Sequence, residues 1–197
     1  CFRRETVGPG GADAVLAAEA LDAALDYVRD TPSVWEVILS GGDPLLLSPR
    51  RISDIFRRLE AIEHVRVLRI HTRVPVVDPD RIGDALLRSL ETDRALYVVV
   101  HANHPREFSP AATKACARLT AAGIPLLSQS VLLRGVNDDP ATLERLMRAF
   151  VERRIKPYYL HHGDLAKGTS HFRVALARGR ALVDGLRGRV SGLCQPT

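Results

Sequence analysis

The chain has 197 residues, 46% of them hydrophobic and 26% charged, which is a globular composition within the usual size of one domain. Its net charge is +5, but the basic residues are dispersed as Arg50-Arg51, Arg57-Arg58 and Arg153-Arg154, with lysine only at 114, 156 and 167; that is the usage of solvated helix surface, and no nucleic-acid partner is expected. No run of about 18 apolar residues occurs, so no helical membrane span is encoded, and no signal peptide is visible.

In chain order, Cys1-Phe-Arg-Arg4 is followed by a glycine-rich loop, Gly8-Pro-Gly-Gly11, and Ala18 to Arg29 has helical spacing. Val34 to Leu39 reads as a first strand, an apolar run ending abruptly at Ser40-Gly-Gly-Asp43. Ser48-Pro49 fits a helix start, and the helix runs through Ile52, Ile55, Phe56, Leu59 and Ile62. A second strand covers Val65 to His71, and Asp78-Pro79 is expected to start one helix running through Ile82, Leu86, Leu87 and Leu90. The third strand is Ala95 to His101; Ser109-Pro110 caps a helix ending at Gly123, and Pro125 to Leu133 is the fourth strand. Asp139-Pro140 opens a helix to Val151, Lys156 to His161 is the fifth strand, and Ala175 to Leu186 is the last helix.

Five strand-helix units of this spacing predict an α/β fold with a parallel sheet and right-handed crossovers. A closed eight-unit barrel needs about 250 residues, so a partial barrel is favoured over an open doubly wound sheet. Periodicity alone does not separate the two. Cys1, Cys116 and Cys194 are too few and too far apart for a disulfide framework, which fits a reducing cytoplasm. Cys116 reads as a small core residue.

In barrels of this kind functional groups gather at the carboxyl ends of the strands. Here those ends read Ser40-Gly-Gly-Asp43, His71-Thr-Arg73, His101-Ala-Asn-His104, Gln129-Ser130 and Tyr158 through Asp164. Five polar ends in register point to a shared pocket. Gly41 and Gly42 let the backbone approach a small molecule, and Asp43 offers an acceptor for an amine. A phosphate-binding glycine fingerprint and a nucleophile elbow are both absent. The His101/His104 pair need not converge on an extended strand end, so zinc is not expected there. What remains is a polar cavity suited to an amino acid or a charged cofactor.

Those strand ends also carry a resemblance. Cys1-Phe-Arg-Arg4 resembles the tail of the cysteine-x3-cysteine-x2-cysteine cluster motif as it stands in the lysine 2,3-aminomutase family of radical S-adenosylmethionine enzymes. Ser40-Gly-Gly-Asp-Pro-Leu45, Thr72-Arg-Val-Pro75, His101-Ala-Asn-His-Pro105, Gln129 through Asp138, Pro157-Tyr-Tyr159, His171-Phe172 and Ser191-Gly192 are similar to that family as well, in order and over essentially the whole chain. The resemblance implies a partial (β/α)6 TIM-like barrel of the radical S-adenosylmethionine type, of which five units are present here. Residues 1–197 are then a single core domain expected to be truncated at both ends, its first strand and two cluster cysteines lying before Cys1.

By the same resemblance, Cys1 is the third thiolate of a 4Fe-4S cluster, and Gly41, Gly42, Asp43, His101 and Gln129 bind S-adenosyl-L-methionine. Arg3 pairs with the substrate carboxylate and Asp164 with its side-chain ammonium; a related glutamate mutase has a cation there, so Asp164 favours lysine. The implied reaction moves the α-amino group of L-lysine, held on pyridoxal 5'-phosphate, from carbon 2 to carbon 3 to give β-lysine. The cofactor lysine of the family follows the motif seen here as Cys194-Gln-Pro-Thr197, so no catalytic residue is assigned in this chain, and the isolated piece is expected to be inactive. A structural zinc is not expected, because Asp139 stands where some members have cysteine. A cytoplasmic homo-oligomer acting on a free amino acid is implied. Two alternatives are supply of β-lysine for modification of translation elongation factor P, and a noncatalytic descendant that binds amino acids.

Overall fold

The computed structural model describes residues 18–197. The Gly8–Gly11 loop, Cys1 and Arg3 lie outside the described residues. Five strands form one sheet in the order β1 (Glu36–Leu39), β2 (Val67–Thr72), β3 (Ala95–His101), β4 (Leu126–Val131) and β5 (Ile155–His161), each parallel to its neighbour. Helix α1 (Ala18–Arg29) precedes the sheet; α2 (Pro49–Glu60) follows β1, α3 (Val74–Val77) and α4 (Asp84–Ser89) follow β2, α5 (Pro110–Ala121) follows β3, α6 (Pro140–Glu152) follows β4 and α7 (Leu176–Leu186) follows β5. Five consecutive parallel strand-helix units make a partial TIM-like barrel.

The helix starts expected from sequence are formed by side-chain caps. Ser48 Oγ accepts from Arg51 N, Ser109 Oγ from Ala112 N, and Asp139 Oδ1 from Thr142 N at 2.8 Å. Each is followed by proline at the first helical position, where a missing N–H costs nothing. The bond to Thr142 also holds the Asp139 carboxyl below the usual range. In α2, Ile52, Ile55, Phe56 and Leu59 are all buried, the stripe that helical periodicity requires.

The helix expected from Asp78-Pro79 to Leu90 is broken instead. The chain makes the short α3, a 3-10 turn over Pro79–Arg81, and then α4, entered through Gly83 in extended conformation. Asp78 makes no capping bond. Gly83 is a poor helix interior residue, and Asp84 suits a first turn, so the second helix restarts there.

Alternation along the strands sorts the side chains into two sets. Val37, Leu68 and Leu96 are paired in register, as are Val98 and Leu126; with Ile70 and Val100 they join the core formed with the helices. The opposite face, toward the barrel interior, carries Ile38, Arg69 and Tyr97 in one row, His71, Val99 and Leu127 in the next, and His101, Gln129 and Tyr159 above. A shift in register between Leu127 and Gln129 gives β5 its place beside β4. There Ser128 Oγ accepts the Tyr158 N–H at 3.1 Å. Cys116 is fully buried among core residues, and burial pushes its thiol up to about 11, so it is a neutral packing group. No helix among the described residues is long and apolar enough to cross a membrane.

Candidate active site at the carboxyl ends of the strands

The glycine turn after β1 is fastened to β2 through Asp43. Its Oδ1 accepts from Leu45 N at 3.1 Å and from the Thr72 hydroxyl at 2.7 Å, and its Oδ2 accepts from Arg73 N at 2.6 Å. Thr72 Oγ1 in turn accepts from Val74 N. Asp43 is thus first a structural clasp, with capacity left on Oδ2 for a further donor. Gly41 has φ 121°, a conformation side chains resist, so the turn presents bare backbone.

Arg73 links β2 to β3. Its guanidinium donates to Glu107 Oε2 at 3.0 Å, while Glu107 Oε1 accepts from the backbone of Asn103 and His104 at 2.6 and 2.8 Å. His101, the last residue of β3, lies with Nε2 3.2 Å from Asn103 Oδ1. Burial, reinforced by the Arg73 cation, pushes the His101 imidazole down to about 4, so it is neutral near pH 7. His104 does not join it: its Nδ1 accepts from Arg106 N, completing a capping box with Glu107. Among the described residues no three His, Cys, Asp or Glu side chains come together as a metal site.

The loop after β4 is locked by Asn137, which is wholly buried. Its Oδ1 accepts from Leu133 N at 2.7 Å, and its Nδ2 donates to the carbonyls of Asn103 and Val131 at 2.8 and 2.9 Å. Asn103 Oδ1 also accepts from Val131 N. The end of β3 is therefore fixed to the end of β4 by two asparagines.

Deeper in the barrel, Arg69 donates to Glu36 Oε2 at 2.9 Å, and hydrogen bonds from Tyr158 and Arg69 lower the Tyr159 phenol. One layer up, His71 Nδ1 lies 2.6 Å from Gln129 Oε1. Burial lowers the His71 imidazole, against the opposing pull of the Gln129 contact. The rings of Tyr159 and His161 approach to 5.0 Å between centroids at the β5 edge.

The structure thus gathers Gly41, Gly42, Asp43, His101 and Gln129 at one end of the barrel, with His101 and Gln129 directly paired across β3 and β4. Asp164 follows β5 on an exposed loop and has no hydrogen bond or ion pair among the described residues. The sequence shows His71 at a strand end, Glu36 opening β1 and Asn137 within the Gln129–Asp138 motif, but assigns no role to these residues or to Arg69 and Glu107. A usable signal was present in β2: Val67-Leu-Arg-Ile-His-Thr72 puts Arg69 and His71 two apart, on a face that an apolar lumen would not tolerate.

No family model matches the chain. It is 42% identical over 197 residues to an L-lysine 2,3-aminomutase from Fusobacterium nucleatum, a match covering 100% of this chain and 46% of that protein. It is 34% identical over 197 residues to a glutamate 2,3-aminomutase from Clostridioides difficile, covering 100% of this chain and 46% of that protein. The chain therefore spans about half the length of the curated relatives it matches. The crystal structure of a radical SAM methyltransferase from Sphaerobacter thermophilus superposes with a TM-score of 0.60 over 93% of this chain and 57% of that one, at 19% identity, which is likeness of fold.

Proposed function

The chain belongs to the lysine 2,3-aminomutase family, and from that premise we propose that it forms the S-adenosylmethionine-binding core of an enzyme that converts L-lysine to β-lysine. The observation that carries this reading is the unbroken match along all 197 residues to an L-lysine 2,3-aminomutase, stronger than the match to the glutamate enzyme. The geometry of the barrel mouth supports it.

The residues present fit S-adenosylmethionine. Gly41 offers open backbone, Asp43 Oδ2 has one remaining acceptor direction for an amino group, and the Gln129 amide nitrogen has no partner among the described residues. His101, held neutral by burial, offers an uncharged contact beside them. Cys1 is the cluster thiolate of this chain and Arg3 the partner of the substrate carboxylate, both outside the described residues. Asp164, without an ion pair among the described residues, is a carboxylate after β5 suited to the lysine side-chain ammonium. Lys114, Lys156 and Lys167 are all exposed, and Lys156 donates to the Leu193 and Gln195 carbonyls. None of the three fits a covalent anchor for pyridoxal phosphate, so that anchor is assigned to none of them.

When bound, the iron-sulfur cluster and S-adenosylmethionine supply a deoxyadenosyl radical that removes hydrogen from the substrate. The chain's own part is positional. Asp43 ties the glycine turn to β2, Arg73 and Glu107 tie β2 to β3, and Asn103 and Asn137 tie β3 to β4, so the groups at the mouth keep fixed relative places.

The test uses the full-length parent, reconstituted anaerobically with iron and sulfide and supplied with S-adenosylmethionine, pyridoxal phosphate and reductant. With L-lysine, β-lysine is expected by mass spectrometry, and L-glutamate is expected to be a far poorer substrate. Asp164→Ala is expected to raise the KM for lysine by roughly ten-fold or more, the value of one charge-assisted bond. Cleavage of S-adenosylmethionine without β-lysine would exclude the free-lysine reaction.

A further inference from the structure

The contact between His71 and Gln129 joins strands that are not neighbours. His71 is on β2 and Gln129 on β4, so the two side chains reach over Val99 of β3 to meet at 2.6 Å. At that distance one nitrogen or oxygen must carry the shared proton, and there are two ways to place it. In the first, His71 Nδ1–H donates to the Gln129 oxygen, leaving a lone pair on Nε2 and turning both amide hydrogens of Gln129 away. In the second, the amide is flipped and donates to Nδ1, leaving an N–H on Nε2 and turning the Gln129 oxygen away.

The placement of the Gln129 amide decides between them. His71 Nε2 is buried and has no partner among the described residues, and the same is true of Arg69 Nε. These two nitrogens belong to residues two apart on the same face of β2. A guanidinium nitrogen is always a donor. The structure places the Gln129 carboxamide oxygen, which can only accept, against His71 Nδ1, so Nδ1–H donates and His71 Nε2 keeps its lone pair, as in the first arrangement. Arg69 is engaged elsewhere through Glu36 and the Tyr159 hydroxyl.

We propose that His71 is a positioning residue of the site: its Nδ1–H holds the Gln129 carboxamide oxygen, so that the amide nitrogen faces the mouth and meets an acceptor group of the bound S-adenosylmethionine. The inference deepens the functional reading above and rests on it for the identity of the ligand. It assigns the chemistry of the contact, which is an oxygen or ring-nitrogen acceptor on the ligand side. The role of His71 is exerted through Gln129 alone.

Two measurements on the full-length, cluster-loaded parent test this. Equilibrium binding of S-adenosylmethionine is expected to weaken roughly ten-fold in His71→Leu and in Gln129→Ala, the effect of one hydrogen bond. His71→Asn, whose amide N–H stands where Nδ1–H stood, is expected to bind within about three-fold of the wild type. The double variant His71→Leu/Gln129→Ala is expected to bind no more weakly than Gln129→Ala. Unchanged binding in His71→Leu, no advantage of Asn over Leu, or additive losses in the double variant would overturn the assignment. Neutron diffraction from crystals of the parent reads the proton directly and without the ligand: a deuteron on Nδ1 is expected, and one on Nε2 alone overturns it. If the wild type binds no S-adenosylmethionine, the functional reading fails, and the diffraction result still decides the role of His71.

Discussion

Asn137→Asp replaces an amide with a carboxyl of the same shape at a position with no exposed surface. The native amide nitrogen donates to two carbonyls, those of Asn103 and Val131. An ionised carboxylate keeps the Leu133 N–H on one oxygen but turns the other, in place of the amide nitrogen, toward two carbonyl acceptors with no donor, so the folded protein must keep the aspartate protonated. Holding a proton at pH 7 on a group whose free pKa is about 3.9 costs about 1.4 kcal/mol per pH unit, or about 4 kcal/mol. The protonated acid still has one O–H for two carbonyls, and the lost bond adds about 1 kcal/mol. The variant is therefore expected to be destabilised by about 5 kcal/mol at pH 7. The sign of the pH dependence follows from the raised folded-state pKa, because the folded form binds a proton that the unfolded form releases above about pH 4. Relative to wild type, the loss shrinks as pH falls, by about 3 kcal/mol between pH 7 and pH 5. Urea unfolding of both proteins at the two pH values measures it. A difference that is equal at both pH values, or smaller than about 1 kcal/mol at pH 7, would refute the claim that Asn137 is wholly buried and donates twice.

Two further outcomes are expected. Asp43→Asn cannot accept from Leu45, Thr72 and Arg73 together, since one of its two atoms becomes a donor; it is expected to lose about 2 kcal/mol of stability and to weaken S-adenosylmethionine binding by loosening the glycine turn, as followed by thermal melting and equilibrium dialysis. His101, with its imidazole pushed down from 6.5 to about 4, stays neutral in the folded state while the unfolded chain protonates. Its contribution is complete above about pH 6.5 and is lost as pH falls toward 4, by about 3 kcal/mol at most. Wild type is therefore expected to lose more stability than His101→Gln over that interval in matched urea titrations, and equal losses would count against the burial of His101.

How far the sequence reaches is clearest at particular residues. Ser48-Pro49, Ser109-Pro110 and Asp139-Pro140 declared their helix starts because capping is local: the cap oxygen and its N–H are three residues apart. Apolar runs declared the five strands and hence the strand-helix order, because the helix-facing side of each strand packs into the core. The interruption at Gly83 was missed, since Leu86, Leu87 and Leu90 keep helical spacing with Ile82 across the break. Gly41, Gly42, Asp43, His101 and Gln129 were legible as polar strand ends, and the structure gathers them at one mouth.

The long-range pairings were decided by the tertiary structure. His71 meets Gln129 across 58 positions of sequence, Arg69 meets Glu36 across 33, and Asn137 binds Asn103 across 34. Such partners depend on strand order and register, which fix which inward side chains share a layer, and residue spacing along the chain carries no trace of them. The sequence by itself determined the elements, the family and the residue types at the mouth, because those follow from local propensity and from motif order. Only the folded barrel decided that Asp43 serves first as a clasp, that His101 and His104 face different partners, and that the half-buried His71 meets Gln129, because each of these depends on which atoms are left without water and what stands beside them.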